Sequence, residues 1–384
     1  MARVSPNKPA FDVVHVAETI HGGVGTYLRV LLPYQVERYG PQRVAVVVPQ
    51  RHAGDLDAPP GVQISTFAEK GGRLLTAWRA YAGMSRLLRQ DGAAVVHLHS
   101  TFAGFSCRLG LLFRRRRPRV VYCAHGWAFD RDGRSTSIAR FAERVLSSCT
   151  DAIVCVSERD RQSALAARIA KEKLIVIRNG LPDLDPAAMA PEPSWPDSCL
   201  RLVFVGRLDR QKGLDVLLAA LARVRRPLHL HVFGERVVGE PFETAIPTNV
   251  ELHGWADFET INAFLSGCDA LVMPSRWEGL PFAAIEAQRA AKAVIASDVG
   301  GLPEIIENGA TGILVPRNDI AAWTQTLQSV REDDLAAMGA RGRKRYERDF
   351  TAQRVDRELA ALYRSEPSHA PDTDTTNDFP EDRS

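Results

Sequence analysis

Short, unbroken apolar runs separated by helical stretches recur along nearly the whole chain, and that rhythm limits the fold more than any other feature. Phe11–Ala17, Arg43–Pro49, Val62–Phe67, Ala94–His99, Val120–Ala124, Ala152–Val156 and Leu174–Ile177 are strand-like. Helical stretches run from about Arg73 to Arg89, through Phe113, and from Ser137 to Ser148. Strands that are apolar with little alternation belong in a parallel sheet covered by helices on both faces. A second series opens at Leu200–Val205 and continues through Leu228–Gly234, Val250–Trp255, Ala270–Met273 and Gly312–Pro316. Between the two series, residues 181–198 carry five prolines, the composition of a linker. The expected division is a first α/β domain over 1–182, a linker over 183–199 and a second α/β domain over 200–350. A helix over 351–365 and an acidic, disordered tail over 366–384 complete it.

Composition narrows the function classes. A length of 384 residues suits two or three domains, and 45% hydrophobic with 25% charged residues is ordinary for a soluble globular protein. No apolar run approaches the ~20 residues that cross a bilayer, and the N-terminus lacks the pattern of a signal peptide, so a cytoplasmic protein is expected. Six cysteines without C-x-x-C spacing read as free thiols. A net charge of +3 does not argue for nucleic acid, although the tail carries −5 and leaves +8 on the remainder.

Ligands of such sheets gather at the carboxyl ends of strands. The most informative strand end is Pro274-Ser-Arg-Trp-Glu278-Gly-Leu-Pro-Phe-Ala-Ala-Ile-Glu286, which follows an apolar strand and enters an Ala-rich helix with Pro281 suited to its first turn. A helix entered from a Gly-containing loop offers free N–H groups and the positive end of its dipole to an anion. Glu278 and Glu286 lie eight residues apart, roughly 12 Å along a helix, so they serve different parts of an elongated ligand. A diphosphate flanked by a sugar and a ribose fits that layout. In the loop after Val205, Arg207 and Lys212 stand five residues apart among glycines and could bracket a diphosphate. His125 ends its strand before Gly126, where an imidazole can donate to a sugar hydroxyl.

The 274–286 segment, with Val294-Ile-Ala-Ser-Asp-Val-Gly-Gly-Leu-Pro-Glu304 after it, resembles the glutamate-x7-glutamate signature of family 4 glycosyltransferases, retaining enzymes of the GT-B fold. The resemblance spans roughly residues 11–364 and implies two Rossmann-like domains facing across a cleft. It assigns the transferred sugar to Glu278 and the backbone of Gly279, Leu280, Pro281 and Phe282, the ribose to Glu286, and the diphosphate to Arg207 and Lys212. It also brings Gly22 and Gly23 to the donor phosphate, His253 near the base, and His125 to the reacting sugar. The implied activity is transfer of a hexose-type sugar from a UDP- or GDP-sugar to a glycan or lipid-linked saccharide in surface polysaccharide synthesis, with catalysis by His125, Glu278, Arg207 and Lys212. No metal or other cofactor is implied. Where family members have Gly-x-Pro before the next strand, this chain has Ala291-Lys292-Ala293, from which a changed turn is expected.

Other features carry less. His97/His99 and His229/His231 alternate on strand faces, but without Cys, Asp or Glu at ligand spacing a structural or acceptor-side role outweighs zinc. Asp183-x-Asp185 sits in the linker, not after a strand, which disfavours a metal-dependent transferase of the other large fold. Arg114–Arg117 is placed at the end of a helix and reads equally as a solvated basic face or as a contact for anionic lipid at the inner face of the cell membrane. The rival functions are a nucleotide-sugar 2-epimerase-like isomerase of the same fold and a non-catalytic sugar-nucleotide or membrane-binding module. Sugar, acceptor and linkage are not legible.

Overall fold

The computed structural model describes residues 9–20, 22–130, 136–185, 191, 193–236 and 246–365, so the acidic tail and part of the linker lie outside the described residues. The first half contains β1 (Phe11–Ala17), β2 (Val44–Pro49), β3 (Gln63–Phe67), β4 (Ala93–His99), β5 (Arg119–Cys123), β6 (Ala152–Cys155) and β7 (Leu174–Val176). Its helices are α1 (Gly23–Tyr39), α2 (Arg73–Gln90), α3 (Thr101–Leu111), α4 (Thr136–Ser147) and α5 (Glu158–Ala166). All seven strands are parallel, in the order β3-β2-β1-β4-β5-β6-β7.

The second half contains β8 (Leu200–Val205), β9 (Leu228–Phe233), β10 (Val250–Gly254), β11 (Ala270–Met273), β12 (Ala293–Ser297) and β13 (Gly312–Val315). They form a parallel sheet ordered β10-β9-β8-β11-β12-β13. Around it lie α6 (Leu214–Leu221), α7 (Phe258–Gly267), α8 (Phe282–Arg289), α9 (Leu302–Ile305), α10 (Ile320–Ser329) and α11 (Glu332–Asp349), and α12 (Ala352–Arg364) follows. Central strands such as β2, β9 and β12 are buried at every position, as the non-alternating apolar runs require. Strand order reverses between β1 and β4 and again between β8 and β11. Crevices open at such switch points.

α12 packs on α1, where Arg38 pairs with Asp356, and Tyr363 reaches His97 Nδ1 at 2.7 Å. The chain passes between halves beside Leu181, whose N–H donates to Phe350 O and whose carbonyl accepts from Ala352 N. Asp183, half of the linker Asp-x-Asp, is paired with Arg343 at 2.6 Å.

Two local expectations change. The arginine run does not end a helix: α3 stops at Leu111, and Arg114–Arg117 form the connection into β5, which Pro118 keeps from being helical. Arg114 bonds Leu88 O and Arg117 bonds Cys149 O, so half of the run braces the fold. At the Ala291 turn, the backbone adopts the left-handed region (φ 57°) that glycine prefers, so the substitution is met by strain in an alanine.

Candidate active site

The second half's side of the cleft is built by lashing two strand-end loops together. Arg276 N donates to Gln211 O at 2.7 Å, Gln211 Nε2 to Trp277 O at 3.1 Å, and the Arg276 guanidinium grips both oxygens of Asp215 at 2.8 and 2.6 Å. This holds the loop after β8 against the loop after β11. Gly213 permits the contact, because its φ is 67° and a Cβ there would lie 2.1 Å from Pro274 O. As a result Lys212 Nζ rests 2.6 Å from Glu278 Oε1, with Ser275 Oγ donating to the same oxygen at 2.7 Å. Arg207 is separated from this pair. It is half-exposed and turned to Asp209 at 3.2 Å and Gln211 Oε1 at 2.7 Å.

Pro281 is the cap of α8 and not its first helical residue; its backbone is extended, and no side chain caps the helix. The first-turn N–H groups therefore point toward the loop of Glu278 and Gly279. Gly301 N donates to Gly279 O at 2.8 Å, and a Cβ at Gly300 would stand 2.0 Å from Glu278 O, so the two glycines form a floor that no larger residue allows. Glu286 is buried on α8; burial raises its pKa, opposed by Arg289 and by Arg29 of the first half. His253, at the end of edge strand β10, stacks on Phe233 with ring centroids 4.6 Å apart.

Across the cleft, His125 is half-buried with a left-handed backbone (φ 53°), followed by Gly126 at φ 97°. Burial lowers its pKa to about 4, and His15, fully buried, is lowered to about 4 against the opposing bond to Gln35. His99 is driven well below its ordinary value by burial and then by His97, His125 and His15. These rings are neutral at pH 7. They are chained: Gln35 Oε1 lies 2.7 Å from His15 Nε2, His15 Nδ1 3.0 Å from His99 Nε2, and His99 Nδ1 3.0 Å from His125 Nε2. An amide oxygen only accepts, and a neutral imidazole has one donor and one acceptor nitrogen. Every proton in the chain is then assigned, His125 Nε2–H donates inward, and Nδ1 is left as an acceptor. The ring presents a lone pair to the cleft, where the sequence suggested a donor.

Gly22 (φ 70°) starts α1 without a side-chain cap, and a Cβ at Gly22 or Gly23 would meet nothing within 4 Å. The sterically required glycine of this loop is Gly25, where a Cβ would lie 1.7 Å from Ile20 O.

One cavity joins the halves. It is lined by His125, Gly126, Trp127, Asp130 and Asp160 on one side and by Gln211, Trp277, Glu278 and Gly279 on the other. Asn179 Nδ2 bonds Leu280 O at 2.7 Å, and the Glu304 carboxylate accepts from Glu158 N and Arg159 N at 2.9 Å each, capping α5 from the opposite half. A larger cavity of ≈ 420 Å³ lies elsewhere, around Arg178, Arg345 and Arg354. Their charges are matched there by Glu304, Asp349 and Glu358, and none of the expected site residues lines it.

The structure thus brings together His125, Glu278, Gly279 and Lys212, and keeps Arg207, Glu286 and His253 apart from that cavity. Asp160 escaped sequence reading. It lies three residues beyond Ser157, one of the strand ends, and its pKa is raised to about 7 by burial and then by Asp130 and Glu304. Gln35 and His15 carried no motif, and only the fold places them behind His125.

Two parallel-sheet α/β units whose strand ends meet at one cleft, with a cation, a carboxylate and an open helix N-terminus facing a histidine, define a glycosyltransferase of the GT-B fold. The family model described as Glycosyltransferase Family 4 matches residues 21–183, and that described as Glycosyl transferases group 1 matches residues 199–333. A 41.2 kDa protein of the cps region of Klebsiella pneumoniae is 30% identical over 331 residues, covering 83% of this chain and 89% of that one. A UDP-Gal:alpha-D-GlcNAc-diphosphoundecaprenol alpha-1,3-galactosyltransferase of Escherichia coli is 25% identical, covering 68% and 72%. Among solved structures, sucrose-phosphate synthase from Thermosynechococcus elongatus superposes with a TM-score of 0.78 at 18% identity, covering 92% of this chain and 98% of that one. The chain belongs to glycosyltransferase family 4 and is a glycosyltransferase.

Proposed function

We propose that the enzyme moves a hexose-type sugar from a nucleotide diphosphate sugar, with UDP or GDP as the nucleotide, to a glycan or lipid-linked saccharide, retaining the anomeric configuration. The observation that carries this reading is the cavity in which His125 and Gly126 face Glu278 and Gly279, with Lys212 held on the Glu278 carboxylate. Glu278 and the N–H groups of the loop hold the sugar hydroxyls. Lys212, from beneath, and Arg207, swinging from the surface, neutralise the diphosphate as it leaves, which is the electrostatic task a metal performs elsewhere. Glu286 takes the ribose, His253 lies toward the base, and Gly22 and Gly23 leave room for phosphate at the start of α1. His125 Nδ1 accepts from a sugar hydroxyl. Departure of the diphosphate with attack from the same face, the step the family resemblance implies, is the one these groups would serve.

The donor nucleotide in the name of the Escherichia coli relative supports UDP, and its diphosphoundecaprenol acceptor supports a lipid-linked saccharide. The cps-region relative supports surface polysaccharide assembly. Work at the cytoplasmic membrane face is supported by α4, which is inverted: Glu143 is buried against Arg108 at 2.8 Å, whereas Ile138, Phe141 and Val145 are exposed. Exposed Leu112, Phe113, Arg115 and Arg116 belong to the segment following α3, which itself contacts α4. Among the described residues no helix is long and apolar enough to cross a membrane.

The test is a thermal-shift panel of UDP, GDP, ADP and their sugar conjugates, each against a matched baseline with and without EDTA. Selective stabilisation by one diphosphate, unchanged by EDTA and absent in Lys212→Ala, is the expected result; no shift with any ligand would refute the donor site.

A further inference from the structure

The second half carries a cluster of metal-ligating groups that the transfer reaction does not use. His229 and His231 point from one face of β9, and Glu251 from the neighbouring strand β10, where it is in register with His231. One ligand atom from each of the three lies within 4.8 Å of the others. Sequence reading set the His-x-His pair aside for want of a nearby carboxylate, and parallel pairing of β9 with β10 supplies one from twenty residues away.

The geometry within the cluster is that of groups aimed at a common point. His229 Nε2 stands 3.2 Å from Glu251 Oε1, yet it makes no hydrogen bond, because the two are not aligned for one. Two ligands ~2.0–2.1 Å from a tetrahedral ion stand roughly 3.3 Å apart, which is this spacing. His231 is buried, and among the described residues its Nε2 has no partner either. Its other nitrogen, Nδ1, lies 2.7 Å from His253 Nε2 and 3.7 Å from Glu251 Oε2. A bond at the nitrogen that does not face the ion fixes the tautomer of a ligating histidine.

His231 is the most buried of the three. Trp195, arriving from the linker, covers the ring at a centroid distance of 4.5 Å, while Glu251 is exposed and leaves an entry path.

We propose that His229, His231 and Glu251 bind a divalent transition-metal ion of the zinc class, pinning edge strand β10 to β9 behind the base end of the donor site. Two imidazoles and one carboxylate suit zinc or cobalt, whereas magnesium and calcium take oxygen ligands. The other His-rich cluster, His15, His97 and His99, carries no such inference: it brings no carboxylate, and apart from His97 Nε2 its ring nitrogens bond to Gln35, Tyr363, His125 and one another.

The full chain is stripped with a chelator, dialysed, and titrated with Zn2+ against a competing indicator, and then with Co2+ while the visible absorption is followed. One ion per chain is expected, with a cobalt band free of thiolate charge transfer. His231→Gln should weaken binding more than about tenfold. Glu251→Gln, at an exposed edge position that does not threaten folding, should do the same, with circular dichroism confirming the fold. Failure of the parent chain to bind either ion, or binding unchanged in both variants, would overturn the site. Neither outcome depends on the transfer activity.

Discussion

Lys212 Nζ lies 2.6 Å from Glu278 Oε1, so the cation assigned to the donor phosphate and the carboxylate assigned to the transferred sugar touch each other across two loops of one sheet. Each therefore positions the other before any ligand arrives. Lys212→Ala and Glu278→Ala should each lower transfer by at least about 100-fold, the scale of a lost transition-state donor. Each leaves a largely buried partner unpaired and should cost about 1–3 kcal/mol of stability. The double variant Lys212→Met with Glu278→Gln should recover stability without recovering activity, as read by denaturant unfolding beside initial rates. Near-native rates in either single variant would refute the assigned roles.

The chain from Gln35 through His15 and His99 dictates which nitrogen of His125 carries the proton. Gln35→Leu removes the acceptor that sets its direction, and kcat should fall about tenfold, ~1.4 kcal/mol, with KM little changed. Gln35→Glu keeps an accepting oxygen and should restore the rate. Nitrogen-15 shifts of the imidazoles should show His125 Nδ1 unprotonated in the parent and mixed in Gln35→Leu. A parent enzyme with Nδ1 protonated contradicts the assignment.

Asp160 has its pKa raised from 3.8 to about 7 by burial and by Asp130 and Glu304. Between those values the folded state holds a proton that the unfolded state has released, so stability falls as pH rises from about 4 to about 7. The full span corresponds to at most roughly 4 kcal/mol. Asp160→Asn should flatten this slope and leave the protein more stable than the parent at pH 8. Urea unfolding at several pH values measures it; parallel curves for the two proteins would show that Asp160 is charged in the fold.

Arg114 and Arg117 are bonded to the fold, which leaves Arg115 and Arg116 for a bilayer. At ~1 kcal/mol per basic residue, changing both to Ser should weaken co-sedimentation with anionic vesicles roughly 30-fold without unfolding the protein. Phe141→Ser on α4 should weaken it further. Unchanged binding in the triple variant would remove this surface from consideration.

Local chemistry made much of this molecule legible. Unbroken apolar runs such as Val44–Pro49 and Ala293–Ser297 can satisfy their backbones and bury both faces only in a parallel sheet, so the α/β class followed from patterning. Loop positions 206–213 and 274–281 were found because glycines and charges at strand ends keep their meaning wherever the strands lie. Boundaries were less secure: α3 stops at Leu111, short of the arginine run, and Pro281 caps α8 instead of opening its first turn, since helix ends depend on what the next segment must reach.

Three matters rested on the tertiary structure alone. Arg207 and Lys212 look equivalent in sequence, and only the packing of Gln211 against Trp277 buries one beside Glu278 and leaves the other at the surface. His125 receives its tautomer from Gln35, ninety residues earlier, through rings that share a face only when β1, β4 and β5 lie side by side. Glu251 meets His229 and His231 only because β10 pairs with β9. In each case the deciding contact joins residues remote along the chain, and side-chain chemistry alone carries no information about which remote groups the fold will place within reach.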